Sequence, residues 1–184
     1  MSNAVSPINL GSIICFQRGF WIIDRVYKDI DIVCVLSGPE PQRTLLDRQL
    51  QQQFAALDRK VLLIKGVTEK EASFTEGNMT VVSYMTAYEL NYVLLKANVV
   101  VARSGYSTIM DLTRLKNKAI LIPTPGQTEQ EYLASELSAK GYIVQQAQDQ
   151  LDIKAGLEQI EGLKDWDDSK EEDLLMKVMG GFFR

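Results

Sequence analysis

From Ile30 onward the chain alternates short apolar runs with amphipathic segments, and that alternation leaves few folds open. Ile30–Leu36 ("IDIVCVL"), Val61–Ile64 ("VLLI"), Met79–Val82, Val99–Ala102, Ala119–Ile122 ("AILI") and Tyr142–Val144 read as six strands. Runs without polar interruption are what strands buried on both faces require, and that is the habit of parallel sheets. The segments between them read as helices over Pro41–Leu57, Ala87–Lys96, Thr108–Leu115 and Glu129–Lys140, and two more, Ile153–Leu163 and Ser169–Val178, finish the chain. In the first of these, Leu46, Leu50, Phe54 and Leu57 form one stripe, and Pro41 suits a first helical turn. Gly141 suits the left-handed position after a helix, and Glu76-Gly77-Asn78 is turn material. The expectation is an α/β protein with a mainly parallel sheet of about six strands.

The chain has 184 residues, enough for one domain with a sizeable core. Twenty basic against 24 acidic residues give a net charge of −4, which argues against a nucleic-acid partner held by a broad basic face. There is no histidine, which removes the commonest general base, the Ser-His and Cys-His nucleophile pairs and most zinc sites together. No metal site is expected. Two cysteines, Cys15 and Cys34, make no disulfide framework, so a reducing cytoplasm is the expected compartment.

No run reaches the roughly 18 apolar residues of a membrane helix. Ile13–Ile23 comes nearest and is broken by Gln17 and Arg18. Ser2-Asn3-Ala4 reads as a cloning remnant, which points to a piece cut from a longer chain. Residues 1–29 are therefore set apart as a tag remnant plus a segment whose structure periodicity does not decide, and residues 30–184 as the folded domain with C-terminal helices.

In open α/β sheets ligands bind beyond the carboxyl ends of the strands. Those ends carry Ser37-Gly38-Pro39-Glu40-Pro41-Gln42, then Ser83-Tyr84-Met85-Thr86, then Arg103-Ser104-Gly105-Tyr106-Ser107-Thr108, then Thr124-Pro125-Gly126-Gln127-Thr128-Glu129-Gln130-Glu131. In the third of these loops, Gly105 allows a close backbone approach or a positive φ. Ser107 or Thr108 can cap the helix that follows, and a helix start suits a phosphate, to which Arg103 can add a charge. Asp111 shares a face with Ser107 and Thr108, where a carboxylate can accept two hydroxyl hydrogens, as on a ribose. Spacing alone fits equally a capped helix with a favourable dipole charge. Gln130 and Glu131 suit sugar hydroxyls, while spacing alone favours an acidic, solvated first turn. Neither GxGxxG nor a Walker-type lysine loop is present.

The stretch "ANVVVARSGYSTIMDLTRLKNKAILIPTPGQTEQEYLASEL" resembles the C-terminal, donor-binding half of GT-B glycosyltransferases. The group is family 28, which contains the bacterial lipid-linked N-acetylglucosaminyltransferase of peptidoglycan synthesis. Arg103-Ser104-Gly105, Thr108 and an acid at 111 fall on its pattern in step, with Asp where the family has Glu. Gln130-Glu131 stands where the family has Gln-Gln, and Ser37-Gly38 falls on its first glycine-rich loop, from which Glu40-Pro41 departs. Tyr84-Met85 and Leu90 are similar to the segment lining a uracil pocket.

The resemblance covers about residues 30–145. It implies a Rossmann-like three-layer α/β/α domain, one half of a GT-B fold. It also implies a UDP-sugar as substrate and no metal or other cofactor. The nucleotide would be held by Ser37, Gly38, Met85, Leu90, Arg103, Ser104, Gly105, Ser107, Thr108 and Asp111, and the sugar by Gln127, Thr128, Gln130 and Glu131. Arg103 and the helix dipole would stabilise the departing diphosphate. The acceptor site and catalytic base would belong to an N-terminal half or partner subunit outside this chain, so no catalytic residue is expected here, and the chain alone should bind without transferring a hexosyl group. Two other readings stay open. One is a non-catalytic nucleotide-sugar-binding subunit docked on a membrane-associated partner. The other is a UDP-sugar epimerase or hydrolase relative, for which Glu40, Asp111, Glu129 and Glu131 are the candidate bases.

Overall fold

Four-residue strands with no polar side chain to spare need cover on both sides, and the chain supplies it with helices. The computed structural model describes Tyr27, residues 29–67 and residues 72–166. Seven strands form one sheet: β1 (Ile32–Val35), β2 (Val61–Ile64), β3 (Ser73–Glu76), β4 (Met79–Val82), β5 (Val99–Ala102), β6 (Lys118–Leu121) and β7 (Val144–Gln145). Their order is β3-β4-β2-β1-β5-β6-β7, and every pairing is parallel except β3 with β4. The helices are α1 (Gln42–Ala55), α2 (Ala87–Lys96), α3 (Tyr106–Leu115), α4 (Thr128–Ala139) and α5 (Ile153–Ile160), with a 3-10 turn at Gln148–Gln150 before α5.

The register sorts the strand residues into two cores. Val33 lies opposite Leu62 and Val100, and Val100 opposite Ala119. This row packs on Val93 of α2, Ile109 and Leu112 of α3, and Leu133 and Leu137 of α4. The alternate row, Cys34, Leu63, Val101 and Ile120, packs on Leu46, Leu50 and Phe54 of α1 and on Ile153 of α5. The chain steps from β1 to β2 in one direction and from β4 through β5 and β6 to β7 in the other. Right-handed crossovers then place α1 on one face and α2, α3 and α4 on the opposite face. Among the described residues no helix is long and apolar enough to cross a membrane.

The α/β expectation and the apolar runs match the structure, with element ends shifted by up to three residues. The helix expected over Thr108–Leu115 starts at Tyr106, and the strand expected over Tyr142–Val144 is Val144–Gln145. The helix expected to reach Leu163 stops at Ile160. Gly141 takes φ +81° after α4, the left-handed geometry foreseen for it. The sheet has seven strands rather than six, because Ser73-Phe74-Thr75-Glu76 pairs back on β4 through the turn at Gly77 and Asn78. This edge strand is mostly exposed and only Phe74 in it is apolar, so it carries no apolar run to read. Ile13–Ile23 and the helix expected over Ser169–Val178 lie outside the described residues.

The helices start by different devices. In α2, Thr86 and Glu89 form a capping box, the Glu89 N–H donating to the Thr86 hydroxyl and the Thr86 N–H to the Glu89 carboxylate. In α1 the N-cap is Pro41, and the Glu40 carboxylate accepts from the Thr44 N–H instead.

These placements set two stability expectations. Leu50 is fully buried between α1 and the sheet, so Leu50→Ala should cost about 2–5 kcal/mol in urea unfolding. Thr86→Ala, which removes only the cap, should cost about 1 kcal/mol. A Leu50→Ala midpoint as high as that of Thr86→Ala would contradict this core assignment.

Candidate functional site

The sheet reverses its direction of growth between β1 and β5, which are hydrogen-bonded neighbours. The chain leaving β1 turns to α1 on one face, while the chain leaving β5 turns to α3 on the other. A crevice at the carboxyl ends of these two strands follows from the topology, and it is where open α/β sheets take ligands. Its walls are Ser37-Gly38 after β1 and Gly105 with the first turn of α3 after β5.

Gly105 is the N-cap of α3, with φ −69° and ψ 148°, and no side chain caps the helix. The expected cap from Ser107 or Thr108 is therefore absent, since both lie inside the first turn. Of the two uses open to Gly105, the positive φ is not taken, because its backbone is ordinary extended chain. A Cβ added there would meet only Thr108 Oγ1, at 3.9 Å. Among the described residues no steric contact therefore requires a glycine at this place. Ser107 and Asp111 are exposed and Thr108 half-buried. Across the crevice Ser37 and Gly38 are exposed, and Gly38 takes φ +101°, a value L side chains rarely adopt. Met85 and half-buried Leu90 pack against the core on the α2 side, while Tyr84 stays exposed.

Arg103 is where the structure departs most from the sequence expectation. It does not stand at the rim ready for a phosphate, because its side chain is 1% exposed. Alternation explains this: Arg103 continues the row of Val99 and Val101, which faces α1 and α5, whereas α3 departs on the other face. Nη1 donates to Ile122 O at 3.2 Å and Pro123 O at 2.9 Å, and Nη2 to Gln42 O at 3.2 Å and Gln148 Oε1 at 2.7 Å. Nε has no partner among the described residues. Burial pulls the guanidinium down to about 10, which still leaves it charged at neutral pH. The neighbouring Cys34 thiol is pushed up, by burial first and then by the Asp47 charge.

Ser104 is also interior rather than on the rim, its hydroxyl donating to Gln130 O at 2.8 Å. Gln130 Oε1 accepts from Thr124 N and Gln130 Nε2 donates to Gln127 Oε1, while Glu131 accepts from Gly126 N at 2.9 Å. These side chains brace the Thr124–Gln127 loop over the start of α4. Gln127 is half-buried and Thr128 exposed beside them.

Glu40 accepts from Arg43 Nε and Nη2 and from Thr44 N. Hydrogen bonding from the Thr44 side chain first, and from the Arg43 side chain next, holds its carboxyl below the usual range. A carboxylate so engaged is a weak general base.

Three residues of the site had no role assigned from sequence: Gln42 and Thr124, read only as members of strand-end loops, and Gln148, not read at all. Gln42 and Gln148 join each other, Gln148 Nε2 donating to Gln42 Oε1 at 3.1 Å, and both receive Arg103. Thr124, 2% exposed, has a hydroxyl with no partner among the described residues, 3.6 Å from where a Gly38 Cβ would lie. The strand alternation through Val99, Val101 and Arg103 was the signal that could have found the first two.

Comparison with known proteins agrees with this geometry. Residues 32–174 match the family model of the glycosyltransferase family 28 C-terminal domain. A relative from Desulforudis audaxviator, named as UDP-N-acetylglucosamine–N-acetylmuramyl-(pentapeptide) pyrophosphoryl-undecaprenol N-acetylglucosamine transferase, is 38% identical over 92 residues. That match covers 49% of this chain and 24% of the relative, so the chain matches about a quarter of the relative's length. Among solved structures, ALG13 superposes with a TM-score of 0.62 at 13% identity, over 86% of this chain and 100% of that one. MurG of Acinetobacter baumannii superposes with a TM-score of 0.52 at 12% identity, over 82% of this chain and 47% of that one. The three-layer domain thus has the Rossmann-like fold of these structures, and the chain belongs to the glycosyltransferase family 28 C-terminal domain family.

Proposed function

We propose that this chain binds the nucleotide-sugar donor of a hexosyltransferase, with a UDP-sugar as the ligand. The observation that carries the reading is the start of α3: an uncapped helix N-terminus at the β1/β5 crevice, approached by a glycine that the chain's own packing does not require. Free N–H groups and the positive end of the helix dipole suit a diphosphate. Ser107 and Thr108 add hydroxyls in the first turn, and Asp111 follows on the same helix for the ribose hydroxyls. Met85 and Leu90 offer an apolar wall for the base. Gln127, Thr128, Gln130 and Glu131 border the sugar end, with part of their bonding capacity already committed to the loop. The UDP-sugar named for the Desulforudis audaxviator relative supports a uracil base.

In this reading no metal is called on, because the helix terminus meets the diphosphate charge. Transfer is a direct displacement at the anomeric carbon in which the nucleoside diphosphate leaves, and α3 stabilises the charge that develops on it. Asp111 holds the donor and takes no proton. The acceptor and its base come from another half or another chain. A separate partner subunit is the second reading, favoured by the ALG13 match, in which a solved chain is covered in full by this one domain.

Isothermal titration should detect UDP binding at or below millimolar concentration, with GDP weaker. Asp111→Ala should weaken UDP by about tenfold or more, the worth of hydrogen bonds to a charged group. Undiminished affinity in that variant would remove Asp111 from the ribose role, and no binding of any nucleotide would end the donor reading. Gly105→Ala provides a separate check. Its melting temperature should match the parent's, because the new methyl meets only Thr108 Oγ1 at 3.9 Å, while UDP affinity drops sharply. Equal affinity would mean no ligand approaches there.

A further inference from the structure

We infer that Arg103 is the positioning residue of this site, a buried latch that fixes the two walls of the crevice relative to each other without touching the nucleotide; this rests on the donor-binding reading above. Its guanidinium joins the end of β5 to segments that follow three other strands. Gln42 follows the β1 loop, Ile122 and Pro123 follow β6, Gln148 follows β7, and Arg103 itself ends β5. Where the β1 loop faces the β6 loop, Gly38 is exposed, and the hydroxyl it faces, Thr124 Oγ1, has no hydrogen-bond partner among the described residues.

The chemistry of the partners separates a latch from an ordinary buried ion pair. All four are neutral oxygens, three backbone carbonyls and one side-chain amide, and no carboxylate pairs with Arg103 among the described residues. A buried cation without a counter-charge is costly, and an apolar side chain of similar volume is often no worse for stability. What the guanidinium supplies is a rigid planar fork that aims parallel donors at separated acceptors, which an ammonium cannot do. Its charge also lies under a crevice suited to an anion. The expected consequence is that loop order and ligand affinity respond to Arg103 together, out of proportion to the effect on global stability.

The test uses the full chain and three variants, Arg103→Met, Arg103→Lys and Gln148→Leu. Gln148→Leu removes one acceptor of the latch and leaves Arg103 in place, so it reports even where the arginine variants fold poorly. Amide hydrogen exchange is measured without nucleotide, and UDP is titrated under conditions where each variant is folded. Exchange at residues 37–42 and 122–127 should rise about tenfold or more, while β2 amides keep their protection. UDP affinity should fall at least tenfold in both arginine variants, Lys giving no rescue, and several-fold in Gln148→Leu. The effects of Arg103→Met and Gln148→Leu should be non-additive in the double variant. Loops that keep their protection overturn the latch. Loops that loosen while UDP affinity stays within twofold make Arg103 a brace of the fold alone and overturn its positioning role. A wild-type chain that binds no nucleotide sinks the donor reading and the positioning role with it. The exchange measurement still shows whether the guanidinium holds the loops.

Discussion

Everything in this domain follows from a sheet that must be dry on both sides. The strands β1, β2 and β5 at its centre present no polar side chain, and their residues alternate between two cores built by helices on opposite faces. Such strands have no room for function along their length. Polar groups are pushed to the strand ends, and the reversal of sheet growth at β1 and β5 opens those ends into a crevice. The site is thus a by-product of how a parallel sheet is covered.

The same constraint shapes the connections. Loops that cross the sheet ends leave backbone N–H and C=O groups without strand partners, and side-chain amides take the place of a strand. Gln53 donates to Leu151 O and accepts from Ile153 N, pairing with the segment before α5 as a neighbouring peptide would. Gln146 does the same with Asp152, donating to its O and accepting from its N. Asn78 Nδ2 lies within hydrogen-bonding distance of the carbonyls of Phe54, Leu57 and Arg59, where α1 ends. Gln130 holds Thr124 at the site. Arg103 extends this pattern with a charged group, which explains why its partners are carbonyl and amide oxygens rather than acids.

The fold was legible in the sequence to the extent that burial leaves a trace. Val61–Ile64 and Val99–Ala102 are unbroken apolar runs because both their faces are covered, and their limits were read without error. Ser73–Glu76 left no trace because a sheet edge tolerates polar residues. The start of α3 was misplaced because Ser107 and Thr108 look like caps. The cap is Gly105, which offers no side chain, and local chemistry could not reveal that. The direction of Arg103 was readable in principle from strand period, but a cation next to a glycine and a helix start drew attention to the rim instead. The same period would have turned Arg103 toward the face of Gln42 and Gln148, but their pairing with each other, across 106 residues of sequence, has no local trace.

Cys34 adds something of a different kind. It lies at the centre of β1, fully buried, with its thiol held in the protonated form by its surroundings, and Arg103 is a neighbour. A thiol reagent can reach it only when the middle of the sheet opens. Once Cys15 is replaced, the labelling rate of Cys34 becomes an internal clock for that opening, without an added probe. It would time how often the floor beneath the crevice comes apart, on a molecule that otherwise looks folded.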